Sequence, residues 1–195
     1  MEIHDAQREV RTVYRGGFYG QVVSAVLWLT AAALGTWHTP RAAILTLVLG
    51  GFFIFPLTML LLRISGRRAV LSPANSLRYL AMQVAFTLPL SLPLVGAAAV
   101  ARLNWFFPAF MIVLGAHYLP FTFLYGMRLF SVLAGLLVAG GLACGLYLGE
   151  SFSVGAWFAA GVLLLFAVIG LGLVHSEERK SPPAAKVTVG DGRSA

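Results

Sequence analysis

At 195 residues, with 59% hydrophobic residues, 11% charged residues and a mean hydropathy of +0.85, the chain falls well short of a soluble domain, where about a quarter of residues are charged. No Asp or Glu occurs between Arg15 and Glu150, a pattern that excludes an ordinary water-facing surface and suits hydrocarbon. The net charge of +7 is spread beside apolar runs and not over one continuous face, so positive-inside topology accounts for it and no nucleic-acid partner is inferred.

Residues 1–16 are expected to form a cytoplasmic amphipathic segment. Ile3, Ala6, Val10 and Val13 fall at helical spacing opposite Glu2, Asp5, Arg8, Glu9 and Arg11, which suits a helix lying on the membrane surface. The apolar stretch that follows is long enough to span and too long for a signal-peptide core, so the first helix is expected to remain as a span.

A transmembrane helix needs about 20 predominantly apolar residues. Six such stretches cover residues 17–37, 42–62, 77–100, 105–125, 129–148 and 154–174. They predict an all-α integral membrane bundle over residues 17–175, with short loops that make sequential helices antiparallel neighbours. Of the 14 Lys and Arg residues only Arg41 and Arg102 fall on the outer side when the N-terminus is inside; both termini are therefore expected in the cytoplasm of a cell inner (plasma) membrane. Trp37, Trp105 and Trp157 cluster near the expected outer boundary, where an indole prefers headgroup depth.

The loop after the second span carries Arg63, Arg67 and Arg68, for which anionic headgroups are the expected contact, and then Ser72–Pro73 as N-cap and first helical residue of the third span. Pro89 and Pro93 should bend that span and free backbone carbonyls. Small residues mark close-packing faces: Gly16, Gly20 and Ser24 on the first helix, Gly141, Gly145 and Gly149 on the fifth, with contact inside one chain as the main reading and a homo-oligomer through the fifth helix as the alternative. The lone Cys144 lies in a Gly-rich run and is assigned to packing. From residue 176 to 195 the chain is polar, with Pro182, Pro183, Gly190 and Gly192, and is expected to be a disordered cytoplasmic tail.

An internal repeat is also read from the chain. Leu49, Gly50 and Arg63 match Leu114, Gly115 and Arg128 at a constant offset, with Pro56 and Pro120 one place out of register. This makes the second and fourth helices equivalents within tandem hairpins.

The best candidate site is on the fourth helix. His117 lies thirteen residues after Asn104 and eleven before Arg128, near mid-bilayer, where an ionisable group must face protein or a cavity. His117, Phe121, Tyr125 and Arg128 share one stripe, and Pro120 should free the Ala116 carbonyl and kink the helix. Two polar stripes face it in principle: Gln21, Ser24 and Trp28 on the first helix, and Gln83, Thr87 and Ser91 on the third. Interhelical hydrogen bonding alone explains such stripes, at about 0.6 kcal/mol each. The candidate ligand-binding set is therefore His117, Tyr125, Gln21, Gln83, Thr87 and Phe121, with no catalytic residue, no metal ligand and no cofactor assigned, because no carboxylate lies in the spans and no nucleotide, zinc or serine-hydrolase motif is present.

The run Gly115-Ala116-His117-Tyr118-Leu119-Pro120-Phe121, followed by Tyr125, Gly126 and Met127, together with Gly16, Gly17 and Gly20, resembles an uncharacterised family of small bacterial multi-pass membrane proteins. The resemblance implies architecture and no activity. Three functions are compatible with the residues: binding or transport of a small apolar or aromatic molecule in an intramembrane cavity; an accessory or assembly subunit of a membrane complex; or a membrane enzyme using His117 as acid or base.

Overall fold

The computed structural model describes residues 1–67 and 70–180, and among them every regular element is a helix. Nine α-helices follow in order: α1 (Ile3–Tyr14), α2 (Phe18–Trp37), α3 (Pro40–Gly51), α4 (Ile54–Ile64), α5 (Leu77–Ala101), α6 (Phe106–Tyr118), α7 (Phe121–Tyr125), α8 (Leu129–Tyr147) and α9 (Val154–Lys180). Five helical stretches are long and apolar enough to cross a membrane by themselves, and the α3–α4 pair makes a sixth.

The second span is broken, which the sequence reading did not anticipate. Its halves meet at 59°, and Pro56 is the physical reason, since it has no N–H to return to the Phe52 carbonyl. The pair is nevertheless a crossing and not a loop that turns back. α3 starts just after Trp37, where α2 ends, whereas Ser65 at the end of α4 hydrogen-bonds the Tyr19 hydroxyl at 2.6 Å, where α2 begins. The fourth span breaks as expected at Leu119–Pro120, into α6 and the short α7. α5 continues as one helix through Pro89 and Pro93.

The α5 N-terminus differs from expectation. Ser72 does not cap the helix; its hydroxyl accepts from the Ala74 N–H in a local turn, and α5 begins at Leu77, whose N–H donates to the side-chain Oδ1 of Asn75 at 3.0 Å. Asn75 takes this role because its amide is fixed from the other side, donating to the Ala6 carbonyl and the Glu9 carboxylate.

Four helices form the interior: α2, α6, α8 and α9. Trp28 of α2 packs its ring 5.3 Å from Phe110 and 5.8 Å from Phe107 of α6. α6 and α8 approach closely because Gly115 and Gly141 lack side chains: a Cβ would come within 2.7 Å of the Ala134 carbonyl at the first and 2.8 Å of the Pro108 carbonyl at the second. Gly145 also faces α6, against Trp105 and Pro108, so these two glycines of the α8 ladder serve contact within the chain. The other ladder divides: Gly16 faces Val174 and Gly170 on α9, while Gly20 faces Thr58 on α4.

The described arginines at helix ends follow this topology. Arg15, Arg63, Arg78, Arg128 and Arg179 all lie at helix ends on one side of the bundle, and Arg41 and Arg102 on the other. The two described chain ends meet on the arginine-rich side through an Arg11–Glu177 ion pair at 3.0 Å. Trp37 and Trp157 contact edge to face at the opposite end, where the Trp157 indole donates to Thr36. The second and fourth spans, paired by the repeat reading, both break near their prolines, but Leu49 is exposed and Leu114 buried. α9 runs to Lys180, past the residue-176 start of the expected tail; residues 181–195 and Arg68 lie outside the described residues.

Candidate functional site

The six candidate residues fall into two neighbouring groups, joined by one ring. On the outer seam between α5 and α6, Thr87 Oγ1 lies 2.9 Å from His117 Nδ1. The single Thr87 hydroxyl proton donates to the Val84 carbonyl at 2.7 Å, so the pattern assigns the ring proton to Nδ1, donating to Thr87, and leaves Nε2 as an acceptor. Gln83, one turn before Thr87, is exposed on the outer face of α5. Ser91 returns its hydroxyl to the Thr87 carbonyl of its own helix, as hydroxyls in apolar helices commonly do.

The second group is interior. Gln21 and Ser24 of α2 are buried at 3% and 4% exposure, and Ser24 faces the Tyr118 hydroxyl. Gly17, the residue before α2, lies against Tyr125 and Phe130: a Cβ there would sit 3.6 Å from the Tyr125 hydroxyl and 3.4 Å from the Phe130 ring. Arg15, Gly16 and Gly17 have φ +53°, +61° and +82°, a left-handed run that glycine adopts easily at two of its three positions and that separates α1 from α2. Tyr118, Phe121 and Tyr125 all pack on Phe130, with centroids 5.0 to 6.1 Å apart. Phe121 links the groups, its ring 5.1 Å from His117 and 5.7 Å from Tyr125.

One atom of the interior group is anomalous. Gln21 Oε1 is fully buried and has no hydrogen-bond donor among the described residues. A buried acceptor left without a donor costs about 1–3 kcal/mol.

The sequence reading missed what closes this site on the arginine-rich side. Gln7 donates to the Phe123 carbonyl at 2.7 Å, which also accepts from the Gly126 N–H, and Arg11 donates to the Tyr125 carbonyl at 2.6 Å, so α1 adds donors to the carbonyls at the end of α7. Arg11 also pairs with Glu177, and Arg15 with Glu178 at 3.0 Å and His175 Nε2 at 2.8 Å. The signal was present in Glu177 and Glu178, the acidic pair that follows the last span. With both chain ends on one side, they are natural partners for Arg11 and Arg15.

Two open recesses lie at the two ends of the bundle. One of about 430 Å³ is lined by Gly172, His175, Ser176 and Arg179, and one of about 260 Å³ by Arg102, Leu103, Asn104, Gly149 and Glu150. None of the six candidate residues lines either.

Six apolar passes, a nearly acid-free interior and arginines gathered at one set of helix ends define a multi-pass helical membrane protein. Within that class the chain belongs to a family of unknown function (DUF7010), whose family model matches residues 3–172. The match begins with α1, so the amphipathic helix is part of the family's common domain. No curated protein and no solved structure matches the chain.

Proposed function

We propose that the protein binds a small aromatic molecule carrying a hydrogen-bond donor, at the interior group formed by Gln21, Tyr118, Phe121 and Tyr125. The observation that carries this reading is the orphan Gln21 Oε1, buried on α2 one turn from Ser24, which faces the Tyr118 hydroxyl. A ligand N–H or O–H would supply the missing donor while its ring replaces side-chain packing, the usual division of labour in a ligand pocket. Access requires Phe121 to move. α7 is the segment suited to that, being five residues long between the break at Pro120 and Gly126 at φ +63°. Indole and 1-methylindole test the reading, since they differ by one N–H. Thermal unfolding of the purified protein should give an affinity about tenfold higher for indole; equal affinities would count against Gln21 as the recognition point.

The outer seam favours a second reading, an assembly role. Gln83 is exposed on α5, where lipid offers its amide no hydrogen bonds and a helix of a partner protein would. Replacing Gln83 by Leu should then shrink the particle extracted in mild detergent, as read by its mass; an unchanged mass speaks against this reading.

We place the protein in a cell inner membrane with both termini cytoplasmic, on the support of the arginine distribution. Reporters fused after Arg179 and after Glu150 should read cytoplasmic and external respectively. The reverse pattern would invert the topology.

A further inference from the structure

We propose that the recess at the end of α9 binds the phosphate group of an anionic lipid, with an acyl chain lying along the outer face of the same helix. α9 has 27 residues, about 40 Å at 1.5 Å per residue, against about 30 Å of hydrocarbon. With Trp157 at the far boundary, the turn from His175 to Arg179 emerges at headgroup depth.

Gly172, His175, Ser176 and Arg179 line the recess, and their spacing of three, four and seven puts them on one face. Each polar member presents a donor. Arg179 is a guanidinium and Ser176 a hydroxyl. A guanidinium cannot accept, so the 2.8 Å contact from Arg15 makes His175 Nε2 the acceptor and leaves the ring proton on Nδ1. Among the described residues no carboxylate lines the recess, and the neighbouring Glu177 and Glu178 are engaged by Arg11 and Arg15. Three donors, one of them a guanidinium, suit a phosphodiester, and basic pockets at this depth are where lipid phosphates settle.

Below the recess the same stripe is apolar and uncovered. Gly172 and Gly161 each have nothing within 4 Å of a Cβ position, and the exposed Val168 and Leu165 lie between them. An acyl chain lies along such a surface. A second copy of this chain is less suited, because parallel two-fold pairing through the stripe would set Arg179 against Arg179.

The full-length protein in neutral detergent provides the test, by thermal unfolding with phosphatidylglycerol, phosphatidylcholine or inorganic phosphate added. Phosphatidylglycerol should stabilise, and the other two should not. Arg179→Gln should weaken the phosphatidylglycerol effect about fivefold. The same charge change at Arg63 should leave it unaltered, which separates this recess from a general preference for anionic lipid. Gly172→Leu should abolish the effect without changing lipid-free stability, since the added side chain meets no atom of this chain. Retention of the effect in both α9 variants would overturn the proposal. Equal stabilisation by phosphatidylcholine would remove the phosphate preference, and equal stabilisation by inorganic phosphate would make the ligand a soluble phosphate. Dissociation of a dimer by Gly172→Leu would assign the face to a second copy and also overturn it.

Discussion

The interior helices α2, α6, α8 and α9 and the flanking helices α3, α4 and α5 are built from the same apolar residues, yet they are held in different ways. In the most apolar stretch of α5, 11% of the residues are buried, against 39% in α8 and in α9. The difference follows from small residues and not from hydrophobicity. Lipid is as apolar as Leu, so helices adhere in a membrane where their backbones can approach closely. Gly115, Gly141 and Gly145 allow that between α6 and α8, and Gly16 and Gly170 between the start of α2 and α9. On the flanks Gly50 of α3 lies against Leu27 of α2, but Gly51 and Gly96 face nothing within 4 Å, like Gly135, Gly161 and Gly172 on the outer sides of α8 and α9.

The sharpest way to break this comparison is to place the same side chain on both surfaces. Gly115→Leu would drive its Cβ to 2.7 Å from the Ala134 carbonyl and should cost about 3 kcal/mol or more of stability in detergent. Gly96→Leu on α5 should stay within about 0.5 kcal/mol of wild type. Similar losses at both sites would show that the flank is packed as firmly as the interior.

A smaller effect is expected where α1 closes the arginine-rich end. Arg11→Ala removes the bond to the Tyr125 carbonyl and the pair with Glu177. One of these is a charge-assisted bond to a buried backbone and the other a partly exposed ion pair, so a loss of about 1–2 kcal/mol is expected. Hydrogen exchange should localise it to α1 and α7, sparing α8; uniform acceleration across the bundle would contradict a local clasp.

Much of the architecture was legible because lipid imposes it. Runs of about 20 apolar residues and the sidedness of arginine are read one residue at a time, and the six passes and the gathering of arginines followed from them. The break at Pro120 was also readable, since proline removes a donor wherever it sits inside a helix. Pro56 carried the same information and was passed over because the stretch around it is long and apolar enough to read as one straight span. Helix neighbours were less legible. Gln21, Gln83, Thr87 and Tyr125 are alternative partners for His117 by spacing, and Thr87 is the one it meets among the described residues; Gln21 is buried one turn from Ser24, on the side of α2 that meets Tyr118. The clasp by Gln7 and Arg11 depends on contacts more than 110 residues apart in sequence, which no local pattern encodes.

The central claim is that Gln21 is held in the interior for a ligand and contributes nothing to packing through its acceptor. Gln21→Leu tests it most directly. With the orphan oxygen removed, the ligand-free protein should unfold at the same temperature as wild type or higher, because replacing an unsatisfied buried amide by an apolar group of similar size relieves a cost of about 1 kcal/mol or more. In the same preparation, the preference for indole over 1-methylindole should vanish. A clear fall in ligand-free stability would contradict the account, by showing that the Gln21 side chain is bonded in the protein as it exists and serves the bundle alone.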